Sequence, residues 1–250
     1  MQSILNRLRA VEGDISFYYK PLAGGEGAAF NADQPLGAAS VIKYPIMIEA
    51  FHQMEAGLLD PNAEYELRLE HKLPPCGVLT FMHDGLRVTL LDLVTLMIIV
   101  SDNTATNMVI DIVGMENVND TLRALGCTGT VLRRRLFDSE ASARGVQNTV
   151  TAREIGMLLE KAYRGELVSP AASRQMLDIL LAQQLNSKLP FFLDCEVAHK
   201  TGEDDGITHD AGIVFAPKPF IVCLFSNNTN VPPFERLMQD IARELYEMNQ

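Results

Sequence analysis

The periodicity of the apolar residues changes twice along the chain, and this change limits the folds that the sequence can adopt. Residues 15–19 and 28–31 are strand-like segments on either side of a glycine-rich turn, which predicts a β-hairpin. Strand-like segments return only near the C-terminus, at 196–201, 211–215 and 220–226. The intervening residues, and those at both chain ends, have helical spacing. The sequence therefore predicts an α+β fold.

The strands of both chain ends are expected to form one antiparallel sheet of about five strands, flanked by amphipathic terminal helices. An all-helical lobe is inserted between the two halves of this sheet. We therefore expect a single domain, residues 1–250, with a sheet lobe at about 1–38 and 190–250 and a helical lobe at about 39–189. A cleft between the lobes is the expected ligand site.

Local signals mark several helices of the inserted lobe. Thr151 and Glu154 predict a capping box, and Ser169 followed by Pro170 predicts another helix start. Pro45 falls in the first turns of a predicted helix and is expected to bend it. The other predicted helices cover 40–56, 91–100, 104–113 and 118–125.

The charge of the chain excludes several classes of partner. The chain has 250 residues and a formal net charge of −11, which repels nucleic acid and anionic membranes. The N-terminal residues lack the features of a signal peptide, and no apolar run is long enough to span a bilayer. As written, the sequence predicts a cytoplasmic protein; a secreted or periplasmic protein without its signal peptide would have a similar sequence.

No pattern typical of a metal or cofactor site is present in the sequence, so we expect neither. The four cysteines have no C-x-x-C spacing and no zinc-like histidine neighbours, and Cys223 is expected to be buried in a strand. The glycines at 24–27 approach a dinucleotide-binding fingerprint, but Phe30 stands where a third glycine is needed. The sequence also has no G-x-S-x-G, H-E-x-x-H or P-loop motif.

Three short motifs suggest chemistry: Ser40-Val41-Ile42-Lys43, Ser101-Asp102-Asn103 and Lys200-Thr201-Gly202. One helical turn separates Ser40 from Lys43, which brings the amine within reach of the hydroxyl. A serine hydroxyl is a weak nucleophile until a base removes its proton. A lysine becomes such a base when burial or a second cation, here Lys200, lowers its pKa. Ser40 is therefore the candidate nucleophile and Lys43 the candidate base.

The remaining motif residues supply proton transfer and binding. Ser101 can pass a proton to the leaving group, and Asn103 can hold a substrate amide or the side chain of Lys43. One S-x-x-K is expected by chance in about every chain of this length. All three motifs in this order, with the first at a helix start and the last on a strand, favour a catalytic role.

The third motif is the expected substrate-binding edge. Lys200 and Thr201, followed by Gly202, lie on a predicted strand that could pair with an extended substrate and hold its carboxylate. The backbone N–H groups of Ser40 and Glu203 are expected to form the oxyanion hole.

These motifs resemble those of the class A serine β-lactamases and their penicillin-recognising relatives. The likeness covers most of the chain: residues 38–43 look like the nucleophile helix of the family, and 101–107 look like its central loop and following helix. The resemblance implies a β-lactamase/transpeptidase-like fold and a small-molecule acyl substrate. It implies catalytic roles for Ser40, Lys43, Ser101 and Lys200.

The sequence departs from that family in the omega loop. Class A enzymes carry there a glutamate, with an asparagine four residues on, that position the water for release of the acyl group. Residues 133–145 hold no such pair. Asp138 lies nearest the expected place and Glu140 is the other candidate for deacylation. Alternatively, both are loop acids in solvent or partners of the arginines at 133–135.

A second departure is His209, on a strand where many class A enzymes have an arginine for the substrate carboxylate. The histidine either binds another substrate group, works only when protonated, or pairs with Asp210 to hold the strand end. His199 is expected to pack behind the site. The acidic residues 203–205 are expected at the cleft mouth, where they favour a neutral or basic acyl group over an anionic one.

Three functions follow from these residues. The first is a β-lactamase-like hydrolase that acylates at Ser40 and deacylates through water. The second is an esterase, amidase, peptidase or transacylase with a different substrate or acceptor. The third is a penicillin-binding sensor that acylates and then stalls, because the deacylating glutamate is missing.

Overall fold

The computed structural model describes residues 1–74 and 76–250. The strands are β1 Asp14–Pro21, β2 Ala28–Phe30, β3 Leu36–Gly37, β4 Glu64–Glu66, β5 Arg87–Thr89, β6 Thr149–Val150, β7 Val197–Asp204, β8 Ile207–Val214 and β9 Phe220–Asn227. The α-helices are α1 Gln2–Arg9, α2 Lys43–Glu55, α3 Leu90–Ile99, α4 Asn103–Val113, α5 Met115–Ala124, α6 Ser139–Ala143, α7 Ala152–Tyr163, α8 Pro170–Leu181 and α9 Val231–Met248.

The main sheet joins strands from both chain ends. Its order is β2-β1-β9-β8-β7, and every neighbouring pair is antiparallel. This confirms the predicted five-stranded sheet and the α+β fold. Strand β7 lies at one edge, so that one side of this strand is left open toward the inserted helical elements.

Both faces of the sheet are buried, because its side chains alternate between two cores. Phe220, Val222 and Leu224 of β9 pack with α1 and α9 in one core. Ile221 and Cys223, on the opposite face, pack against the helices of the middle of the chain. The predicted burial of Cys223 is confirmed. Terminal helices and inserted helices thus cover opposite faces.

Two local predictions are corrected. Thr151 caps α7 by accepting a hydrogen bond from the Glu154 N–H at 3.2 Å, but the Glu154 carboxylate accepts from the N–H groups of residues 128–130 instead of completing a capping box. The helix predicted from residue 40 instead begins as a 3₁₀ turn, Ala39–Ile42, and α2 starts only at Lys43 and is not interrupted at Pro45. Pro45 is the third residue of that helix, where an N–H lacks an intrahelical partner.

Short pairings outside the main sheet were not predicted. Strands β3 and β6 join residues just before the Ser40 segment to residues just before α7, and β4 pairs with β5. Within the described part of the chain, no helix has the length and apolar character needed to cross a membrane.

Candidate active site

The fold brings the three sequence motifs to the edge of the main sheet. Ser40 lies in a 3₁₀ turn, Ala39–Ile42, and Ser101 lies in the connection between α3 and α4. Gly202 allows β7 to approach this turn closely: a Cβ atom on it would lie 3.2 Å from Val41 Cγ2 and 3.3 Å from the Ala39 Cβ. A larger residue would therefore push the strand away from the Ser40 segment.

The 3₁₀ turn explains how Ser40 and Lys43 share one side of the backbone. A 3₁₀ helix has three residues per turn, so side chains at i and i+3 eclipse each other. Ser40 is the second residue of the turn, and Lys43, three positions on, is the first residue of α2. Lys43 is fully buried, whereas Ser40 is partly exposed and lines the cleft.

The Ser101 hydroxyl lies between two lysine amines. Lys43 Nζ donates to Ser101 Oγ at 2.9 Å, and Lys200 Nζ reaches the same oxygen at 3.1 Å. Lys43 Nζ also donates to the Ser101 carbonyl oxygen at 2.7 Å and to Asn103 Oδ1 at 2.8 Å. Thr201 contributes its carbonyl oxygen, 2.8 Å from Lys200 Nζ. A continuous chain of polar atoms therefore links the two lysines through one hydroxyl.

Burial makes both lysine amines easier to deprotonate. Desolvation holds the pKa of Lys43 well below its ordinary value, and the nearby Lys200 lowers it further. Desolvation also lowers the pKa of Lys200 to about 7. Lys43 therefore has the electrostatic environment that a lysine base requires.

Several residues around the site have strained backbones, two of them in or next to the first two motifs. Ala39, directly before Ser40, has φ of 41°, and Ser101 has φ of 53°. Positive φ is unfavourable for residues other than glycine and persists only where surrounding contacts impose it. At Ser101 this conformation accompanies the placement of both its carbonyl oxygen and its hydroxyl against Lys43.

Asp102, whose role the motif did not reveal, organises the wall of the site. Its Oδ1 accepts from the Ala105 N–H at 2.9 Å and caps α4. Its Oδ2 accepts from the N–H groups of Val78 and Leu79 at 2.7 and 2.8 Å. The aspartate of the second motif thus ties an otherwise irregular segment to the start of α4. Cys76, at the near end of this segment, lines the cleft.

A cleft of about 400 Å³ opens beside Ser40. Ser40, Asn103 and Glu203 line it together with Asp138. Asp138 Oδ1 caps α6 by accepting from the Ala141 N–H at 2.8 Å. Glu140 is exposed and lies outside the cleft wall, so the geometry does not favour it as a deacylating group.

In the loop formed by residues 133–145, Leu136 is hydrogen-bonded to α4 through both of its backbone polar groups. Asn107 Oδ1 accepts from the Leu136 N–H at 2.9 Å, and Asn107 Nδ2 donates to the Leu136 carbonyl oxygen at 2.9 Å. Leu136 lines the cleft with Ser40. An apolar side chain therefore stands where α4 fixes the loop backbone, and neither residue was singled out from the sequence for this contact.

A single buried amide, Asn148, closes the ends of the loop. Asn148 Oδ1 accepts from the N–H groups of Arg133 and Arg134 at 2.7 and 3.0 Å, and its Nδ2 donates to the Arg134 carbonyl oxygen at 3.0 Å. Its own carbonyl oxygen accepts from the Ala38 N–H at 2.9 Å. The loop is thereby connected to the segment that precedes Ser40.

We expect Asn148→Ala to lower the free energy of unfolding by about 1–3 kcal/mol, because it leaves partly buried backbone groups without their partner. Proteolysis should also become faster within residues 133–147. Denaturant titration and limited proteolysis measure the two effects, with Gln147→Ala as control, since the Gln147 side chain makes only exposed contacts. Equal behaviour of the two variants would contradict this role of Asn148.

His209 is buried and turned away from a role in substrate binding. Its Nδ1 accepts from the Ser226 N–H at 3.1 Å, so Nε2 carries the proton and donates to the Gly37 carbonyl oxygen at 2.7 Å. Desolvation lowers the pKa of His209 to about 4, which disfavours the protonated form. Both ring nitrogens are thus engaged, Nε2 with the segment before Ser40 and Nδ1 with the backbone of β9. The histidine that pairs with Asp210 is His199, at 2.9 Å.

Two of the three acidic residues expected at the cleft mouth, Glu203 and Asp204, line the cleft. Glu203 Oε1 lies 2.9 Å from Lys188 Nζ, so the charge of Glu203 is partly offset. Lys188 is fully buried and was not singled out from the sequence. In the described part of the chain, no group of three His, Cys, Asp or Glu side chains is arranged to hold a metal ion.

Comparison with known proteins agrees with this arrangement. The model of the β-lactamase enzyme family matches residues 1–248. The β-lactamase regulatory protein BlaB of Streptomyces cacaoi is 25% identical over 98% of this chain and 96% of its own length. A β-lactamase structure from Sphaerobacter thermophilus is 29% identical, with a TM-score of 0.91 over 99% of this chain and 96% of that chain.

PBP-A is also similar, with 28% identity and a TM-score of 0.90 over 99% of this chain and 94% of its own. A variant of PBP-A has been solved as an acyl-enzyme complex with penicillin G. The family match spans nearly the whole chain and includes all three motifs that meet at the cleft. The chain therefore belongs to the β-lactamase enzyme family.

Proposed function

We propose that this protein is a serine hydrolase that forms an acyl-enzyme at Ser40 with β-lactams or related amides and esters. The observation that carries the proposal is the Ser101 hydroxyl, which lies within 3.1 Å of the amines of both Lys43 and Lys200 beside Ser40. The solved penicillin G complex of a PBP-A variant supports a β-lactam as the substrate class.

Acylation uses these groups in sequence. Lys43 Nζ, in its neutral form, takes the proton of Ser40 as Oγ attacks the carbonyl carbon of the substrate. The N–H groups of Ser40 and Glu203 stabilise the resulting oxyanion. The carbon–nitrogen bond then breaks while Ser101 Oγ gives its proton to the leaving nitrogen and receives one from Lys43. Lys200, as an ammonium, holds the substrate carboxylate with Thr201.

Deacylation is the step for which the site is less well equipped. Leu136 carries no carboxylate to activate water, and Asp138 Oδ1 is engaged in capping α6. We infer that turnover is slow. A penicillin-binding sensor is therefore the second candidate function, and similarity to a β-lactamase regulatory protein favours it. A transacylase, which transfers the acyl group to an acceptor other than water, would use the same acylation step.

The test is intact-protein mass spectrometry after mixing with a chromogenic cephalosporin, while absorbance is followed. We expect the mass of a covalent adduct that persists for many minutes, because deacylation lacks an efficient base. Ser40→Ala should show no adduct, since the nucleophile is absent.

Each outcome distinguishes a function. Rapid hydrolysis without a lasting adduct would mean that some group, such as Asp138, activates water and that the enzyme is an efficient β-lactamase. Absence of any adduct and of any hydrolysis would contradict the β-lactam assignment; a screen of esters and amides, again with Ser40→Ala, would then test the wider serine hydrolase proposal.

A further inference from the structure

A third buried lysine lies next to the site and takes no part in the mechanism above. Lys188 is fully buried and immediately precedes a 3₁₀ turn, Leu189–Phe192, on the chain segment between α8 and β7. A buried ammonium is costly unless it is paired and hydrogen-bonded. The groups that pair with the Lys188 ammonium therefore indicate the function of this residue.

Lys188 bridges the two strands at the open edge of the sheet. Its Nζ donates to the carbonyl oxygens of Gly202 and His209 at 3.2 and 3.3 Å. Gly202 and His209 face each other in the pairing of β7 with β8. One ammonium thus fixes the relative position of the two strands at the residue that precedes Glu203.

Two carboxylates complete the environment of Lys188. Glu203 Oε1 lies 2.9 Å from Nζ, and Glu235 Oε1 of α9 lies 3.7 Å away. Glu235 Oε1 also accepts from Thr208 Oγ1 at 2.9 Å, and Thr208 faces Glu203 across the strand pair. The Glu203 side chain is thereby drawn toward Lys188, although 59% of it is exposed.

The segment that carries Lys188 is itself anchored behind β7. The Leu189 N–H donates to Asp210 Oδ2 at 3.1 Å, and Asp210 Oδ1 lies 2.9 Å from His199 Nδ1. His199 Nε2 lies 3.0 Å from Asn186 Oδ1. Asp210 and His199 are completely buried. This chain of contacts holds Lys188 in place, so the ammonium can act as a fixed support and not as a mobile counter-ion.

We propose that Lys188 is a positioning residue that fixes the end of β7 and so aims the Glu203 N–H at the oxyanion formed during acylation. This inference rests on the proposed function. An oxyanion donor contributes only when it is held at the correct place before the reaction, so a loosened strand end lowers the rate of acylation. Lys188 also adds positive charge behind Lys200 and helps to lower its pKa, after the larger effect of burial.

The experiment compares Lys188→Met with the wild type in single-turnover acylation by a chromogenic cephalosporin. Methionine keeps a similar volume and removes the ammonium. We expect the first-order acylation rate constant to fall by about tenfold, less than for complete loss of an oxyanion donor, while the dissociation constant of the initial complex changes little. Lys218→Met, at an exposed lysine that donates to the Gln250 carbonyl oxygen, is the matched control.

Glu203→Gln tests the same support without altering the buried lysine. It keeps the backbone N–H and removes the carboxylate, so we expect a smaller decrease in the same rate constant. If Lys188→Met does not fold, as judged by circular dichroism, the acylation rate constant of Glu203→Gln tests the proposal in its place. A purely structural role would lower the melting temperature but leave the rate constant of the folded fraction unchanged.

The outcomes separate this inference from the proposed function. Folded Lys188→Met, or Glu203→Gln in its place, with a wild-type acylation rate constant would overturn the role of Lys188 while leaving acylation at Ser40 intact. Failure of the wild type both to form an adduct and to hydrolyse the cephalosporin would overturn acylation by this substrate and, with it, this role of Lys188.

Discussion

Leu136→Glu is expected to accelerate deacylation of the Ser40 adduct by about 10²–10⁴-fold, the usual contribution of a positioned general base. Asn107 holds the backbone of residue 136 through both its N–H and its carbonyl oxygen, and this residue lines the same cleft as Ser40. A carboxylate introduced there would be carried on a fixed backbone and not on a mobile loop. The lifetime of the adduct, followed by intact mass after removal of excess cephalosporin, measures the effect.

Leu136→Gln is the matched control, because glutamine has nearly the shape of glutamate and no basic carboxylate. Both variants place a polar group in a partly apolar wall, so a change caused by loosening of the loop should appear in both. Only the glutamate variant should shorten the lifetime of the adduct. Equal adduct lifetimes in Leu136→Glu and Leu136→Gln would contradict the proposal that the lack of a carboxylate at position 136 limits deacylation.

The strands could be predicted because the sheet is buried on both faces, which makes their segments apolar and β-branched. Their ends could not. β7 was expected to end at Thr201 but continues to Asp204, through acidic residues that resemble a loop in sequence. Pairing with β8 extends this strand, and such pairing depends on backbone register and not on side-chain pattern. Strands as short as β3 and β6 have no periodicity to detect.

The meeting of the three motifs at one site could be predicted because each motif is a local pattern whose spacing has a chemical meaning. The residues that support them come from distant parts of the sequence. Leu136 is fixed by an asparagine that stands 29 positions earlier. Lys188 follows a polar segment and resembles a surface lysine until the fold buries it. For His209, the sequence suggested a substrate contact or a pairing with Asp210. In the structure its ring nitrogens instead form hydrogen bonds with the Gly37 carbonyl oxygen and the Ser226 N–H.

Acylation by a substrate that carries a carboxylate is expected to slow as the pH rises above about 7. Burial lowers the pKa of Lys200 to about 7, with a further contribution from Lys188, whereas Asp210, Cys76 and Glu203 oppose the shift. Below this pH Lys200 is an ammonium and can bind the carboxylate. Above it the charge is lost, so the second-order rate constant should fall by about tenfold per pH unit.

Deprotonation of Lys43 has the opposite effect on the acylation rate, because only the neutral amine of Lys43 can take the proton from Ser40. Desolvation and the nearby Lys200 keep its pKa well below the ordinary value, so the neutral form is available below the pH at which a solvated lysine would deprotonate. The rate therefore rises with pH while Lys43 loses its proton and falls while Lys200 does. The two amines share Ser101 Oγ, so the limbs of the profile describe the coupled pair.

Two controls assign the alkaline limb to Lys200. Lys200→Arg keeps its charge throughout the range from about pH 5 to pH 9, since arginine does not deprotonate there, and should flatten that limb. The methyl ester of the same β-lactam offers no carboxylate and should flatten it in the wild type as well. An alkaline limb that persists under both changes would mean that a group other than Lys200 titrates, and that the carboxylate of the substrate is bound elsewhere.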